Sequence, residues 1–195
     1  MCSRYEVNSR PRDLARQFGV ECSADFEPLA EVRPTDPAPV ISDGRLMMLN
    51  WGLAVSWDSK PLINARAETL SEKPSFRPLL ENRCLVPATA YFEWRKHHRN
   101  RLKNRIRPRR QGAFAFAALR DADRFVIITC RPIASITHIH DRMPVILDPE
   151  STATWLDPAA HFSEISQLLT PPMQTALEFD ETPRNQGDLF DQPPE

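Results

Sequence analysis

A cysteine in the second position can do chemistry that no internal cysteine can. If Met1 is removed, Cys2 carries a free α-amine two carbons from its thiol. With ordinary pKa values of about 8 and about 8.5, both groups have nucleophilic forms near neutrality. Such a 1,2-aminothiol can attack an aldehyde through nitrogen and close on sulfur to a five-membered thiazolidine, the second step gaining the effective concentration of a tethered reaction. A lone cysteine specifies little by itself, so other segments must complete a site. Two groups could move protons there. Glu93 stands in Tyr91-Phe92-Glu93-Trp94, where strand alternation sends it away from Phe92 and Trp94 and onto the side of Tyr91. Desolvation among aromatics raises a carboxyl pKa toward neutrality. His140 is the second group, because imidazole trades protons at physiological pH. Each has a plainer reading, a glutamate at the solvent end of a strand and a histidine satisfied in a turn.

The same alternation gathers polar residues on single faces: Cys2, Arg4 and Glu6; Asn64, Arg66 and Glu68, with Ile63, Ala65 and Ala67 opposite; His140 and Arg142. These are either the solvated side of a half-buried sheet or one polar floor bearing a thiol, a carboxamide, an imidazole and arginines. His97, His98, His138 and His140 match no structural zinc spacing, and five glycines leave little material for a phosphate loop. Neither a metal nor a cofactor is expected.

The elements that must position these groups read as an α+β fold, a compact and mostly antiparallel β core with a few peripheral helices. Strand-like runs cover Leu46 to Trp51, Leu62 to Glu68, Leu85 to Trp94, Ala113 to Leu119, Phe125 to Cys130 and Met143 to Leu147. Helical patterns cover Asp13 to Phe18, stopped by Gly19, then Glu150 to Leu156 and Phe162 to Leu169. Pro28, Pro34, Pro37 and Pro39 exclude a regular helix and suggest an extended loop. One domain over residues 1–172 is expected, followed by an acidic, disordered tail over 173–195.

With 41% hydrophobic and 26% charged residues, the chain has the composition of a soluble domain, and no apolar run approaches the ~20 residues of a membrane span. The start shows no signal-peptide core, which points to the cytoplasm, where Cys2, Cys22, Cys84 and Cys130 would stay reduced. Net charge is −1, but its distribution is uneven. Nine Lys or Arg residues crowd Arg95 to Arg110, and the run reads as a flexible basic hairpin loop able to meet nucleic acid. In the tail, Gln186-Gly187-Asp188-Leu189-Phe190 resembles the short peptide by which bacterial repair proteins dock on the replication sliding clamp.

Seven segments, in order, resemble the SOS response-associated peptidase family, also known for abasic-site processing. They are Met1-Cys2-Ser3-Arg4; Trp51-Gly52-Leu53 leading to Trp57; Asn64-Ala65-Arg66-Ala67-Glu68-Thr69; Arg83-Cys84-Leu85-Val86-Pro87-Ala88 through Phe92-Glu93-Trp94; Phe114-Ala115-Phe116-Ala117; Ile128-Thr129; and His140-Asp141-Arg142-Met143-Pro144-Val145-Ile146-Leu147. The resemblance implies a groove for single-stranded DNA and a thiazolidine cross-link from Cys2 to an abasic sugar, with lyase chemistry and self-directed removal of Met1. It further implies that Glu93 and His140 manage sugar-ring opening and proton transfer, and that Asn64 orients the site. Arg4, Arg66 and Arg142 would bind phosphates, Trp57 and Pro34 would wedge against bases, and Trp94 and Thr129 would complete the DNA contacts. A monomer acting in DNA repair is expected. The rivals are a thiol peptidase using Cys2 with His140 on other proteins, and a passive single-strand-binding module.

Overall fold

The structure, a computed structural model, describes residues 2–98, 100–110, 112–170 and 176–181. In chain order the elements are β1 (Tyr5–Val7), α1 (Pro11–Phe18), β2 (Glu21–Cys22), β3 (Leu29–Val32), β4 (Pro37–Ser42), β5 (Arg45–Trp51), β6 (Leu53–Val55), β7 (Asp58–Leu62), β8 (Asn64–Arg66), β9 (Arg83–Ala88) and β10 (Ala90–His97). There follow β11 (Asn100–Pro108), β12 (Phe114–Asp121), β13 (Arg124–Cys130), β14 (Met143–Pro144), β15 (Ile146–Leu147), α2 (Pro149–Leu156), α3 (Phe162–Ile165) and β16 (Leu177–Glu181).

Strands β5, β4, β9, β12 and β13 pair antiparallel in that order, and a parallel pairing of β13 with β5 closes the path into a ring. Closure removes free sheet edges, the hazard of a β core. The ring strands carry the fully buried Trp51, Phe114, Phe116 and Phe125, with Trp51 and Phe125 stacked at 6.4 Å. At Thr89 the chain leaves the ring. The Thr89 amide donates to the Glu6 carbonyl at 2.8 Å, and β10 enters a second, antiparallel sheet ordered β16-β11-β10-β1-β3. Tyr5 and Tyr91, directly opposite each other in this sheet, meet Phe116 edge-on at 5.8 and 6.1 Å. That contact fixes which face of the second sheet turns inward: Tyr5, Tyr91, Glu93, Asn104 and Ile106 share it, and Arg4, Glu6, Phe92, Trp94, Lys103 and Arg105 lie on the other.

The α+β class, the antiparallel core and the peripheral helices agree with the sequence reading. Gly19 ends α1 in the left-handed region at φ 67°, as its position suggests. Several boundaries differ for physical reasons. The proline-rich loop contains β3 and β4; Pro37 and Pro39 pair only with β5, because β4 meets β9 at Ile41 alone, so their missing N–H groups cost no second ladder. Leu85 to Trp94 is two strands split at the sheet change. Alternation over Leu62 to Glu68 ends at Arg66, where a 3-10 turn, Ala67–Thr69, begins.

The basic run is a hairpin but not a flexible loop: β10 and β11 are in register from Tyr91–Ile106 to His97–Asn100. Part of the expected disordered tail is strand β16, which pairs with β11 from Pro108–Leu177 to Asn104–Glu181. Its acids explain the capture, since Glu178 meets Arg107 at 2.7 Å and Glu181 meets Arg95 at 2.6 Å. Gln186 to Phe190 lies outside the described residues. Among the described residues no helix is long and apolar enough to cross a membrane.

Candidate active site

β7, β8, β10 and the loop before β14 converge on a cavity of about 890 Å³ whose wall includes Ser3, Pro34, Lys60, Asn64, Glu93, Trp94 and His140. Cys2, next to Ser3, has no exposed surface. Its Sγ lies 3.7 Å from the Arg4 carbonyl, and its own carbonyl accepts from Asn64 Nδ2 at 2.7 Å. Burial, reinforced by the nearby Glu93, pushes the Cys2 thiol far up, so it is held as a thiol. Since β1 begins only at Tyr5, alternation does not carry Cys2 onto the face of Arg4 and Glu6.

Glu93 has a side-chain exposure of 3%. Burial pushes its carboxyl up to about 7; the N-terminal α-amine opposes this and the charge of Asp141 adds to it. His140 Nε2 is 3.7 Å from Glu93 Oε2. Its Nδ1 has two suitors, Asp141 Oδ1 at 2.8 Å and the Arg142 amide at 3.0 Å. Asp141 requires a proton on Nδ1, whereas the amide requires its lone pair. Burial chiefly lowers the His140 pKa and favours the neutral ring; in the tautomer whose Nδ1 accepts from the Arg142 amide, Nε2 carries the proton on the side of Glu93. An acid raised to about 7 and an imidazole lowered from its ordinary value can share one proton across a short gap.

The expected DNA contacts fall into two groups. Pro34 and Trp94 line the cavity, Arg66 is exposed on β8, and Trp57, 68% exposed, tips the β6–β7 hairpin whose Lys60 and Pro61 also line the cavity. Gly52, at φ +123°, starts that hairpin, and any Cβ there would come within 2.9 Å of Pro61 Cβ. By contrast, Arg4 is buried, with Nε 3.3 Å from Glu31 and NH1 donating to the Ser3 carbonyl at 2.8 Å. Arg142 grips Glu68 with both terminal nitrogens, at 2.7 and 2.8 Å, and donates to the Thr129 carbonyl at 2.7 Å. Thr129 has no exposed surface; its hydroxyl donates to the Ala65 carbonyl at 3.4 Å and accepts from Arg142 at 3.5 Å.

The model of the SOS response associated peptidase (SRAP) family matches residues 1–185. The chain belongs to this family. Among its relatives, the abasic site processing protein YoqW of Bacillus subtilis (strain 168) is 38% identical over 198 residues, covering 88% of this chain and 87% of YoqW. YedK of Escherichia coli (strain K12), likewise named an abasic site processing protein, is 28% identical over 99% of this chain and all of YedK. A crystal structure of a Bacteroides thetaiotaomicron protein superposes with a TM-score of 0.85 at 25% identity, covering 98% of this chain and 95% of that one.

Sequence reasoning about this SRAP chain missed the structural part of Glu68, the second claim of Asp141 on His140, and the cavity positions of Lys60 and Thr137. The Glu68–Arg142 pair spans 74 residues, and no local pattern signals it.

Proposed function

We propose that this protein binds single-stranded DNA at abasic sites and links itself to the open-chain sugar through Cys2. The observation that carries the reading is the convergence of Asn64, Glu93 and His140 on one cavity large enough for a sugar, with Cys2 buried behind its wall, its carbonyl held by Asn64 and its thiol kept protonated. Hydrolysis of the Met1–Cys2 peptide consumes one water, releases methionine and frees the α-amine; the protein directs this step on itself. The amine adds to the sugar aldehyde, and loss of one water gives an imine. The thiol then adds across C=N: the S–C bond forms, the thiol proton passes to nitrogen, and a thiazolidine results.

Glu93 and His140 carry the protons of ring opening and dehydration. Before ring closure, removal of a proton from the carbon next to the imine expels the 3′ phosphate with its bonding electrons, which is the lyase reaction. Asn64 holds the Cys2 carbonyl and so orients the nucleophile. Arg66 and Trp57, both exposed, bind phosphate and stack on bases, while Arg4 and Arg142 shape the groove through Glu31 and Glu68. A conventional thiol peptidase is less well supported, because His140 Nε2 faces Glu93 and the thiol is held protonated. Gln186 to Phe190 serves as a clamp-docking peptide; a peptide spanning Pro183 to Pro193 should bind a bacterial clamp near micromolar, about −8 kcal/mol, and lose binding when Leu189 and Phe190 become alanine.

The deciding experiment is intact mass after mixing with an abasic oligonucleotide. Protein lacking Met1 should gain the strand's mass less one water, and Cys2→Ser should not. An undiminished adduct from Cys2→Ser, or from protein retaining Met1, refutes the thiazolidine. Binding unchanged in Cys2→Ala with no adduct from the wild type would mark a passive module, and turnover of peptides a peptidase.

A further inference from the structure

Strand β11 turns alternate residues inward, and that row reads Leu102, Asn104, Ile106 and Pro108. The one amide in it, Asn104, stands directly across from Glu93 in the antiparallel register. Directly opposed side chains on one face have Cβ atoms about 4.5–5.5 Å apart. Asn104 has no exposed surface. Its Nδ2 donates to the Leu102 carbonyl at 2.9 Å, which fixes the amide orientation, and its Oδ1 is buried without a hydrogen-bond partner. A buried acceptor left unsatisfied is destabilising, and an apolar residue would continue the row without that cost.

We propose that Asn104 is a positioning residue for Glu93: its amide oxygen accepts the proton of the neutral carboxylic acid and holds that acid in place until the proton is needed. An ionised Glu93 would confront the carbonyl oxygen with a second acceptor, so the pairing favours the protonated form. It acts together with the other groups around the acid: His140 Nε2 from the loop before β14, Asp141 beside it, the Cys2 thiol, the N-terminal amine, and Tyr91 on the same strand. The inference deepens the proposed function, resting on Glu93 as its proton carrier, but its first test does not depend on DNA.

That test follows the Glu93 side-chain carboxyl by carbon NMR in the full chain, assigned by its loss in Glu93→Gln. In Asn104→Ser the pure acceptor becomes a hydroxyl that can donate to a carboxylate, so the midpoint should fall by about one pH unit. Asn104→Thr, better suited to a strand, is measured alongside and should move it in the same direction. A midpoint unchanged in the folded variants overturns the pairing. The second test is a double-mutant cycle on cross-linking rate. Asn104→Ser should slow the wild type, shift its pH profile with the NMR midpoint, and have no further effect in Glu93→Gln; equal slowing in both backgrounds also overturns the proposal. If instead the midpoint moves while Glu93→Gln leaves the rate intact, the pairing stands and the catalytic reading of Glu93 fails.

Discussion

The two faces of the five-stranded sheet are built on opposite terms. On the outer face many of the charges are paired, several of them across intervening strands. Glu31 takes Lys103 at 2.5 Å, Arg33 at 3.0 Å and Arg4 at 3.3 Å; Glu6 takes Arg105 in two bonds and the Thr89 hydroxyl; Arg107 meets Glu178. On the inner face the Tyr5 and Tyr91 hydroxyls and Asn104 Oδ1 are buried without hydrogen bonds, next to a carboxyl pushed up to about 7. Native proteins tolerate few such atoms, and a group of them beside a carboxyl of raised pKa is a candidate place for chemistry. Charge density is therefore a poor guide here: much of the segment richest in arginine is tied to acids on other strands, while Glu93 on the inner face lines the cavity.

The comparison is tested most severely at Glu93. Glu93→Gln should slow cross-linking or its reversal by about 10²–10⁴-fold while sparing binding to undamaged single strands. Stability should change as well. A carboxyl raised from 4.5 to about 7 in the folded state contributes stability that is complete below pH 4.5 and is lost as pH rises through about 7. The wild type should lose about 3 kcal/mol across that window relative to Glu93→Gln, measured by urea unfolding at several pH values. Parallel stability curves for the two proteins would mean that Glu93 binds its proton no more tightly in the folded state than in the unfolded chain.

The outer face should behave in the reverse manner. Burial tends to raise Glu6, but hydrogen bonds from Arg105 and Thr89 outweigh it and hold the carboxyl below its ordinary value. Its contribution is thus present above pH ~4.5 and lost as pH falls through the folded pKa. Glu6→Gln should cost about 1–2 kcal/mol at neutral pH and leave the cross-linking rate unchanged. A loss of rate without loss of stability would erase the distinction between the faces.

The hairpin at Gly52 ranks next. Gly52→Ala forces Pro61 to yield 0.1 Å or more at a backbone already in the left-handed region, displacing the β6–β7 hairpin that carries Trp57. Affinity for single strands should fall about 10-fold, read by fluorescence anisotropy, with the cross-linking rate at saturating DNA preserved. Unchanged affinity would remove Trp57 from the interface.

Much of this was legible in sequence. Alternation placed Glu93 on the side of Tyr91, and Gly19 and the strand runs located most elements, because each is a local matter of period and turn chemistry. What escaped was non-local. The inward neighbour of Glu93 depends on the β10–β11 register, the grip on Arg142 on a residue 74 positions away, and β16 on acids that find partners only once β11 is formed. Arg95 to Arg110 forms the expected hairpin, but its regular pairing was hidden because like charges suggest a solvated flexible loop, and the matching acids stand on three other strands and cannot be seen in the run itself.

The smallest expected effect separates the staple from the binding surface most finely. Each phosphate contact on a single strand adds about 0.7 to the slope of log affinity against log salt. Lys96 and Arg101, exposed and on the cavity wall, can add such contacts, whereas Lys103, Arg105 and Arg107 already face carboxylates at 2.5–2.8 Å and release few counterions when DNA arrives. Replacing Lys96 and Arg101 by serine should therefore lower the slope by up to about 1.4, and replacing Arg105 and Arg107 by less than about 0.5, on undamaged oligonucleotides with Cys2→Ser protein. The second pair should instead lower the unfolding midpoint. Equal slopes for the two pairs would mean that DNA displaces the acids and that the outer face is itself part of the groove.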